Sequence, residues 1–217
     1  MPRYYPVYFD LGGRSCLVVG GGAVAERRVL GLQEAGAAVR VISPTLTPAL
    51  RAQADNRTIE YRQGMYEPSA LADVVLVVAA TDSRAVNTQV IADARAARIP
   101  VNAADAPGDG DYIVPSVIRR GEFCLSISTG GANPMLAARL AAEMETRFGP
   151  EYADYVELLG EFRLYIKSKT DVTAIRRQAL ADLLAAEPLL LEQLKVGDRE
   201  AAHAIATEIV DAILPGA

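Results

Sequence analysis

The stretch Ser15-Cys-Leu-Val-Val-Gly-Gly-Gly-Ala-Val-Ala25 decides the fold that we expect for this chain. An apolar, β-branched run ends in three glycines, and a helical pattern follows directly. Gly20, Gly22 and Ala25 occupy the fixed positions of a G-x-G-x-x-G/A turn, which needs a sharp exit from the strand, a close approach to a pyrophosphate and tight helix packing. The alternative is a tight turn that binds nothing. We predict a dinucleotide site at a helix N-terminus. Its expected cofactor-binding residues are Gly20, Gly21, Gly22, Ala23 and Val24.

The first half of the chain alternates strand and helix patterns. This alternation predicts a parallel sheet with helices on both faces, an α/β fold of the Rossmann type. Residues 74–78 are apolar throughout, as expected of a central strand that is buried on both faces. Residues 4–9 are rich in strand-forming side chains, and Pro6 favours an edge position for a strand there.

The pattern changes near residue 105. Residues 112–114 and 123–128 are predicted strands, joined through Ile118-Arg-Arg-Gly121. A second glycine loop follows, with Asn133 as N-cap and Pro134 as the first residue of a helix to about Phe148. Residues 151–214 predict three or four more helices. The part after residue 113 looks too thin for an independent core, so we expect it to be buried against a partner subunit.

Composition excludes several classes of protein. The net charge of −5 argues against a general nucleic-acid binder. No apolar run is long enough to cross a bilayer and the N-terminus has no signal core, so we expect a cytoplasmic protein without membrane contact. Cys16 and Cys124 are expected to be buried thiols in a reducing compartment. Two cysteines and one histidine exclude an ordinary Cys/His zinc site, and we predict no metal-binding residues.

Polar residues follow two strands on the side where open α/β sheets bind ligands. Ser43 stands where NAD-binding folds usually place an acid, and its hydroxyl could bond a ribose or cap the next helix. Since the acid is missing, the sequence leaves NAD and NADP open. Thr81 and Asp82 are expected beside the adenosine half of the cofactor; alternatively they only start the next helix.

Asp105 is the predicted catalytic residue, since it lies just past a strand end on the cofactor side. A carboxylate there could accept a proton from a substrate that loses a hydride. A loop aspartate is also a common turn former, and Asp109 and Asp111 are competing carboxylates. Asn102, at the end of the same strand, completes the cofactor-binding set. His203 is expected to be a surface or packing residue.

The second glycine loop is a candidate substrate site. Its backbone N–H groups and the helix N-terminus behind it could bind a carboxylate or a phosphate. The alternative is a plain connection from strand to helix at a dimer interface. Cationic side chains nearby could receive an anionic substrate. The candidate substrate-binding residues are Arg119, Ser128, Thr129, Gly130 and Asn133.

Together these motifs resemble the precorrin-2 dehydrogenase family, whose members oxidise precorrin-2 to sirohydrochlorin on the way to sirohaem. Some members also insert ferrous iron. The match is collinear over roughly residues 4–148. The matching stretches are Tyr5-Pro-Val-Tyr-Phe-Asp-Leu11, Cys16-Leu-Val-Val-Gly-Gly-Gly-Ala-Val-Ala-Glu-Arg-Arg28, Ala79-Ala-Thr-Asp82, Asn102-Ala-Ala-Asp-Ala-Pro107, Ile113-Val-Pro-Ser116 and Ser128-Thr-Gly-Gly-Ala-Asn-Pro134.

The resemblance implies an NAD-dependent homodimeric dehydrogenase that acts on precorrin-2, with Asp105 serving dehydrogenation and, where it occurs, chelation. It implies a nucleotide domain (1–113), a dimerisation segment (114–149) and a helical domain (150–217). Methylation of the tetrapyrrole is expected to belong to another protein. The sequence leaves open whether ferrous iron is also a substrate. Two alternatives stand beside this function: a chelatase that does not oxidise, and a nucleotide-sensing regulatory module.

Overall fold

The computed structural model describes residues 3–214, which form two compact units. The first contains residues 3–114 together with Gly130–Ala132, and the second contains Pro115–Thr129 together with residues 133–214. Each unit has buried apolar clusters of its own. Each can therefore hold its elements together by removing apolar surface from water.

The first unit is built on one parallel sheet. Its strands are β1 (Ser15–Val19), β2 (Ala38–Ser43), β3 (Glu60–Gln63), β4 (Leu76–Ala79) and β5 (Val101–Ala103), in the order β3-β2-β1-β4-β5. Its helices are α1 (Ala23–Glu34), α2 (Pro48–Asp55) and α3 (Arg84–Ala96), with short 3-10 helices at Pro68–Leu71 and Pro107–Asp109. The strand order reverses between β1 and β4, and open α/β sheets bind ligands at the carboxyl ends beside such a reversal.

The central strands are apolar because both faces of the sheet are covered. In β1, Leu17 and Val19 belong to one buried cluster, whereas Cys16 and Val18 belong to another. Successive side chains of a strand point to opposite faces, so the two clusters lie on opposite sides of the sheet. All four residues of β4 are buried. The predicted α/β fold of the Rossmann type is confirmed.

Residues 4–9 do not form the edge strand that their composition predicts, and this prediction is wrong. The segment has no regular structure, and Tyr5 is 87% exposed. High β-propensity expresses how well a side chain fits a pleated, half-buried surface. It cannot provide a neighbouring strand whose unpaired backbone groups would accept an additional edge.

The predicted strand at residues 112–114 is also wrong. Tyr112 instead packs against an apolar cluster on the sheet, and its hydroxyl donates to the carbonyl of Val77 at 3.2 Å. The apolar character of this segment therefore serves the packing of an irregular chain onto the sheet.

The second unit begins with a hairpin of β6 (Ser116–Arg120) and β7 (Phe123–Ile127), which pair antiparallel. Residues 118–121, predicted to be a connection, are the end of β6 and the start of its turn. Gly121 has a φ of 56°, which suits a tight turn. A glycine at this point of the sequence therefore indicates the hairpin. Five helices follow: α4 (Pro134–Arg147), α5 (Tyr152–Lys169), α6 (Thr173–Ala185), α7 (Glu187–Lys195) and α8 (Arg199–Asp211).

The second unit has a core, contrary to the expectation that it would be too thin for one. Phe162 and Ile166 of α5, Leu183 of α6 and Leu190 of α7 are almost fully buried in one cluster, to which α8 also contributes. Four helices that each bury one apolar stripe can enclose such a core together. The role of residues 114–149 in dimerisation stays a prediction.

The two cysteines differ in burial. Neither is in a disulfide bond, and Cys16 is fully buried as predicted. Cys124 is only half-buried, so its predicted burial is wrong. The difference follows from the sheets: β1 lies at the centre of five strands, whereas β7 belongs to a two-stranded hairpin.

Candidate functional site

A cavity of about 470 Å³ lies at the carboxyl ends of the strands in the first unit. Of the predicted cofactor-binding residues, it is lined by Gly20, Gly21, Gly22, Ser43, Thr81 and Asp82. These residues come from the loops after β1 and β4 and from the last residue of β2. The structure therefore brings together most of the set that the sequence predicts, since the carboxyl ends of parallel strands meet at one edge.

The three glycines of the turn have different surroundings. Gly20 has a φ of 128°, and a Cβ there would collide with the carbonyl of Ala80. A Cβ on Gly21 would collide with the carbonyl of Thr45. A Cβ on Gly22 would meet nothing within 4 Å. The first two glycines thus let neighbouring loops pack on the turn, and the third leaves an open cradle for a ligand.

The N-terminus of α1 faces this cradle without a side-chain cap. Gly22 is the N-cap residue and provides no side-chain acceptor. The first backbone N–H groups of a helix have no partner within the helix, and together with the helix dipole they favour an anion. Ala25 is fully buried against the sheet, as the motif requires. The arrangement fits a diphosphate on the glycine turn.

The loop after β2 fixes the turn from one side. Ser43 is buried and lines the cavity, but it does not cap the next helix, because Thr47 is the N-cap of α2. The Thr47 amide donates to the carbonyl of Gly21 at 2.9 Å. Its hydroxyl donates to the Glu26 carboxylate at 2.5 Å, which ties α1 to α2. Arg40 points away from the cavity residues, toward Glu60 at 3.0 Å.

Ala23, Val24 and Asn102 are not among the residues that line the cavity. Ala23 and Val24 are exposed on the first turn of α1, so only their backbone N–H groups are suited to a cofactor. Asn102 is buried, with its Nδ2 donating to the carbonyl of Tyr112 at 2.9 Å. Its Oδ1 is buried and has no hydrogen-bond partner among residues 3–214.

The loop after β5 separates the three competing carboxylates. Asp111 pairs with Arg95 at 2.9 Å and accepts from the Val101 amide at 3.2 Å, so it holds the end of the loop against the strand. Asp109 lies 3.8 Å from Arg84. Asp105 is exposed, and the described part of the chain offers its carboxylate no hydrogen-bond or ion-pair partner. Of these three carboxylates, Asp105 is the one without such a partner among the described residues, and it is not among the residues that line the cavity.

Burial shifts the pKa of Tyr112, at the end of this loop, and of two groups that interact with it. Burial raises the pKa of the Tyr112 hydroxyl. Burial also lowers the pKa of Arg28 and raises the pKa of the Cys16 thiol to about 11. The Nε of Arg28 is buried without a hydrogen-bond partner among the residues described. Cys16 is buried, Arg28 and Tyr112 are half-buried, and none of the three lines the cavity.

Sequence reasoning missed the loop after β3. Gly64, Met65 and Tyr66 line the cavity, and the Tyr66 hydroxyl donates to Asp93 at 3.2 Å. Burial and this carboxylate raise the pKa of Tyr66. Gly64 directly follows a strand and could have indicated the loop, because ligand-binding loops follow strand ends in such sheets.

The second glycine loop closes on itself. The Thr129 hydroxyl donates to the carbonyl of Asn133 at 3.0 Å and accepts from the Asn133 amide at 3.1 Å. Asn133 caps α4 by accepting from the Leu136 amide at 3.0 Å, and Pro134 is the first helical residue, as predicted. Ser128 and Arg119 are exposed. The predicted substrate-binding role of this loop stays a proposal.

No helix between residues 3 and 214 is long and apolar enough to span a membrane. Over the same range, no three His, Cys, Asp or Glu side chains are placed to hold a metal ion. His203 is exposed and packs beside the Phe162 ring at 5.0 Å, as the sequence predicts.

Comparison with known proteins identifies the nucleotide unit. A family model described as "Putative NAD(P)-binding" matches residues 7–116, about half of the chain. The chain belongs to this NAD(P)-binding family. The matched range includes the glycine turn, all five strands of the parallel sheet and the Asp105 loop.

Proteins similar over most of the chain have names that agree with the predicted resemblance. A siroheme synthase of Methylobacillus flagellatus is 38% identical over 91% of this chain and 42% of its own length. A siroheme synthase of Nitrosospira multiformis is 39% identical over 81% of this chain and 38% of its own length. The chain therefore spans about two fifths of these relatives.

A solved structure named "SirC, precorrin-2 dehydrogenase" has a TM-score of 0.72 and 27% identity. The similarity covers 94% of this chain and 100% of that chain. The predicted resemblance to precorrin-2 dehydrogenases is confirmed.

Proposed function

We propose that this chain oxidises precorrin-2 to sirohydrochlorin, with NAD as the electron acceptor. The observation that carries the proposal is the structural similarity to a precorrin-2 dehydrogenase. The similarity covers 100% of that protein and 94% of this chain. The glycine turn and the loop after β5 provide a cofactor cradle and an available carboxylate in one nucleotide unit.

The reaction removes two electrons and two hydrogens from the tetrapyrrole. One hydrogen leaves as a hydride and the other as a proton, so one NAD⁺ is converted to NADH for each product molecule. When bound, NAD supplies the hydride acceptor. Asp105 accepts the proton, because its carboxylate is exposed and unpaired among residues 3–214, while Arg95 and Arg84 hold the neighbouring acids.

Binding of the cofactor uses the groups at the strand ends. The N–H groups of α1 behind Gly22 would hold the diphosphate, and Ser43 and Asp82, which line the cavity, would bond the ribose hydroxyls. Asn102 stays in the proposed cofactor set because its buried Oδ1 has no hydrogen-bond partner among residues 3–214, although it does not line the cavity.

The electrostatics of the cavity favour NAD over NADP. Of the described residues that line it, Asp82 is the one with a charge, and none is a lysine or an arginine. The additional phosphate of NADP would therefore have no cationic partner there, although phosphates are commonly bound by arginine.

Substrate binding is assigned to Arg119 and to the second glycine loop. Precorrin-2 is a tetrapyrrole with carboxylate side chains. Arg119 is exposed and can pair with such a group, and Ser128 is also exposed. Thr129, Gly130 and Asn133 complete the proposed loop, and the enzyme acts as a homodimer. These roles rest on the family resemblance and on exposure.

An anaerobic assay with enzymatically generated precorrin-2 and NAD tests the proposal by the absorbance of sirohydrochlorin. We expect NAD-dependent product from the wild type and a loss of at least about 100-fold in turnover for Asp105→Asn. Asp109→Asn is the matched control in the same loop and should keep near-wild-type turnover. Both variants should bind NAD with unchanged affinity.

Other outcomes would contradict the proposal. A folded wild type that binds NAD but forms no sirohydrochlorin would exclude the dehydrogenase. Metal insertion into supplied sirohydrochlorin without oxidation of precorrin-2 would instead identify a chelatase. A cofactor-dependent change of oligomeric state without any response to tetrapyrrole would identify a sensor module. Ferrous iron added after product formation tests the second activity.

A further inference from the structure

A buried asparagine on α3 is bonded on both sides of its amide to the loop after β4. Asn87 is 2% exposed. Its Oδ1 accepts from the Thr81 amide at 3.1 Å, and its Nδ2 donates to the Thr81 carbonyl at 3.0 Å. The side chain thus bonds the backbone donor and the backbone acceptor of one residue, much as a neighbouring strand would.

The orientation of the Asn87 amide is determined by its partners. A reversed amide would place an NH₂ group against the Thr81 N–H and an oxygen against the Thr81 carbonyl, leaving two buried groups unpaired. The Thr81 hydroxyl also contacts Asn87 Oδ1, at 2.7 Å. Oδ1 therefore accepts from two donors, and the amide is satisfied on both sides.

The bonded loop is the one against which the glycine turn packs. A Cβ on Gly20 would collide with the Ala80 carbonyl and lie 3.2 Å from the Thr81 nitrogen. The Ala80–Thr81 peptide group that packs on Gly20 therefore also donates its N–H to Asn87. Thr81 lines the cavity, whereas Asn87 does not.

We propose that Asn87 is a positioning residue for the cofactor site, which sets the Ala80–Thr81 peptide against Gly20 and thereby holds the glycine turn in its binding shape. It acts through Thr81 and does not contact the cofactor. The proposal rests on the cofactor-binding part of the proposed function and is independent of the tetrapyrrole substrate.

The same bonds change the expected role of Thr81. Its hydroxyl has one proton, and the shorter of its two acceptor contacts is to Asn87, compared with 3.1 Å to the Ser83 carbonyl. The hydroxyl also accepts from the Ser83 amide at 3.2 Å. Thr81 thus shapes the cavity wall and has no proton to donate to a ribose.

The test is calorimetric titration of NAD into the full chain and its variants. Asn87→Ala should raise the Kd for NAD about tenfold, because the peptide group loses its partners. Turnover at saturating NAD should stay within twofold, since Asp105 is unaffected. The matched control is Thr88→Ala, an exposed neighbour on the same helix, which should leave the Kd unchanged.

Asn87→Asp gives a readout that a purely structural role would not produce. An ionised carboxylate keeps the acceptor for the Thr81 N–H but repels the Thr81 carbonyl, whereas a protonated carboxyl can donate to it. Burial favours the protonated form. The Kd ratio of Asn87→Asp to wild type should therefore fall toward one as the pH decreases from 8 to 5.5.

Several results would overturn the proposal. One is a folded Asn87→Ala variant with the Kd of the wild type. Another is a pH-independent Kd ratio for Asn87→Asp. If Asn87→Ala does not fold, the Asn87→Asp result alone decides between the two outcomes. A wild type that binds NAD without oxidising precorrin-2 would refute only the proposed function. A wild type that binds none of NAD, NADH, NADP or NADPH would refute both.

Discussion

Two glycine loops precede two helices in this protein, and only the first leaves its helix N-terminus open. Gly22, the N-cap of α1, has no side-chain acceptor, and the space where its Cβ would lie is empty. At α4, Pro134 has no N–H, and Asn133 already bonds the Leu136 amide. The first loop therefore presents backbone donors to a ligand, whereas the second uses its own side chains to satisfy most of them.

Glycine content does not by itself define an anion site. An anion site needs unsatisfied N–H groups at the start of the following helix and open space in front of them. By this criterion the first loop is the one that we propose as the diphosphate site. The second is better suited to contribute exposed side chains such as Ser128 than an oxyanion cradle.

The largest expected effect separates the two loops by stability. Gly20→Ala should lower the free energy of unfolding by about 3 kcal/mol, because a methyl group would meet the Ala80 carbonyl at a φ of 128°. Gly130→Ala should cost only about 1 kcal/mol, since its φ of 63° is strained but nothing lies within 4 Å. Urea unfolding measures both. Equal losses would contradict the packing that we describe for the first loop.

The second effect separates the loops by cofactor affinity. Gly22→Ala should raise the Kd for NAD about 30-fold, or about 2 kcal/mol, because the methyl group enters the open cradle. Ala132→Val, a larger addition in the second loop, should leave the Kd unchanged. Titration calorimetry on the folded variants measures it. A stronger effect from Ala132→Val would move the diphosphate site to the second loop.

A third effect concerns the strand that leads into the first loop. The pKa of Cys16 is raised from 9.0 to about 11 by burial, so the folded state holds the thiol proton more tightly than the unfolded chain. This contribution to stability is complete below pH 9 and is lost as the pH rises toward 11. About 1.4 kcal/mol should be lost by pH 10, since each pKa unit is worth that amount.

The measurement is the free energy of unfolding at pH 8 and pH 10 in three proteins. Cys16→Ala should lack this loss. Cys124→Ala, changed in the strand that leads into the second loop, keeps Cys16 and should show it in full. The same decrease in all three proteins would mean that other groups cause it.

The smallest effect tests the closed loop. Asn133→Ala removes the cap of α4 and should lower the free energy of unfolding by about 1 kcal/mol. The Kd for NAD should not change. Thermal unfolding with and without NAD measures both quantities. Asn133→Ser, which retains a capping oxygen, should recover most of the loss.

Local signals in the sequence were sufficient for much of the fold and of the cofactor site. Neighbouring residues are enough to predict the apolar strands β1 and β4 and the glycine turn after β1, because strand burial and turn geometry depend on residues adjacent in the chain. Asn133 and Pro134 were assigned correctly for the same reason: N-caps are local.

Predictions that required a distant partner were less successful. Residues 4–9 have strand-forming side chains but no strand to pair with, and Tyr112 packs onto the sheet without joining it. Met65 and Tyr66 reach the cavity only because β3 lies at the edge beside β2. Their own sequence contains no signal of that placement.

Local sequence patterns are enough to predict the α/β class and the family, since both depend on short motifs in a fixed order. Which carboxylates have ion-pair partners, and which side chain bonds the loop after β4, depends on the tertiary structure. Asp105, Asp109 and Asp111 are alike in sequence, and they differ because Arg95 of α3 pairs with Asp111 at 2.9 Å and Arg84 of α3 lies 3.8 Å from Asp109. Asn87 contacts Thr81 because α3 packs on the sheet behind β4. Such contacts depend on the placement of whole elements, which no local motif specifies.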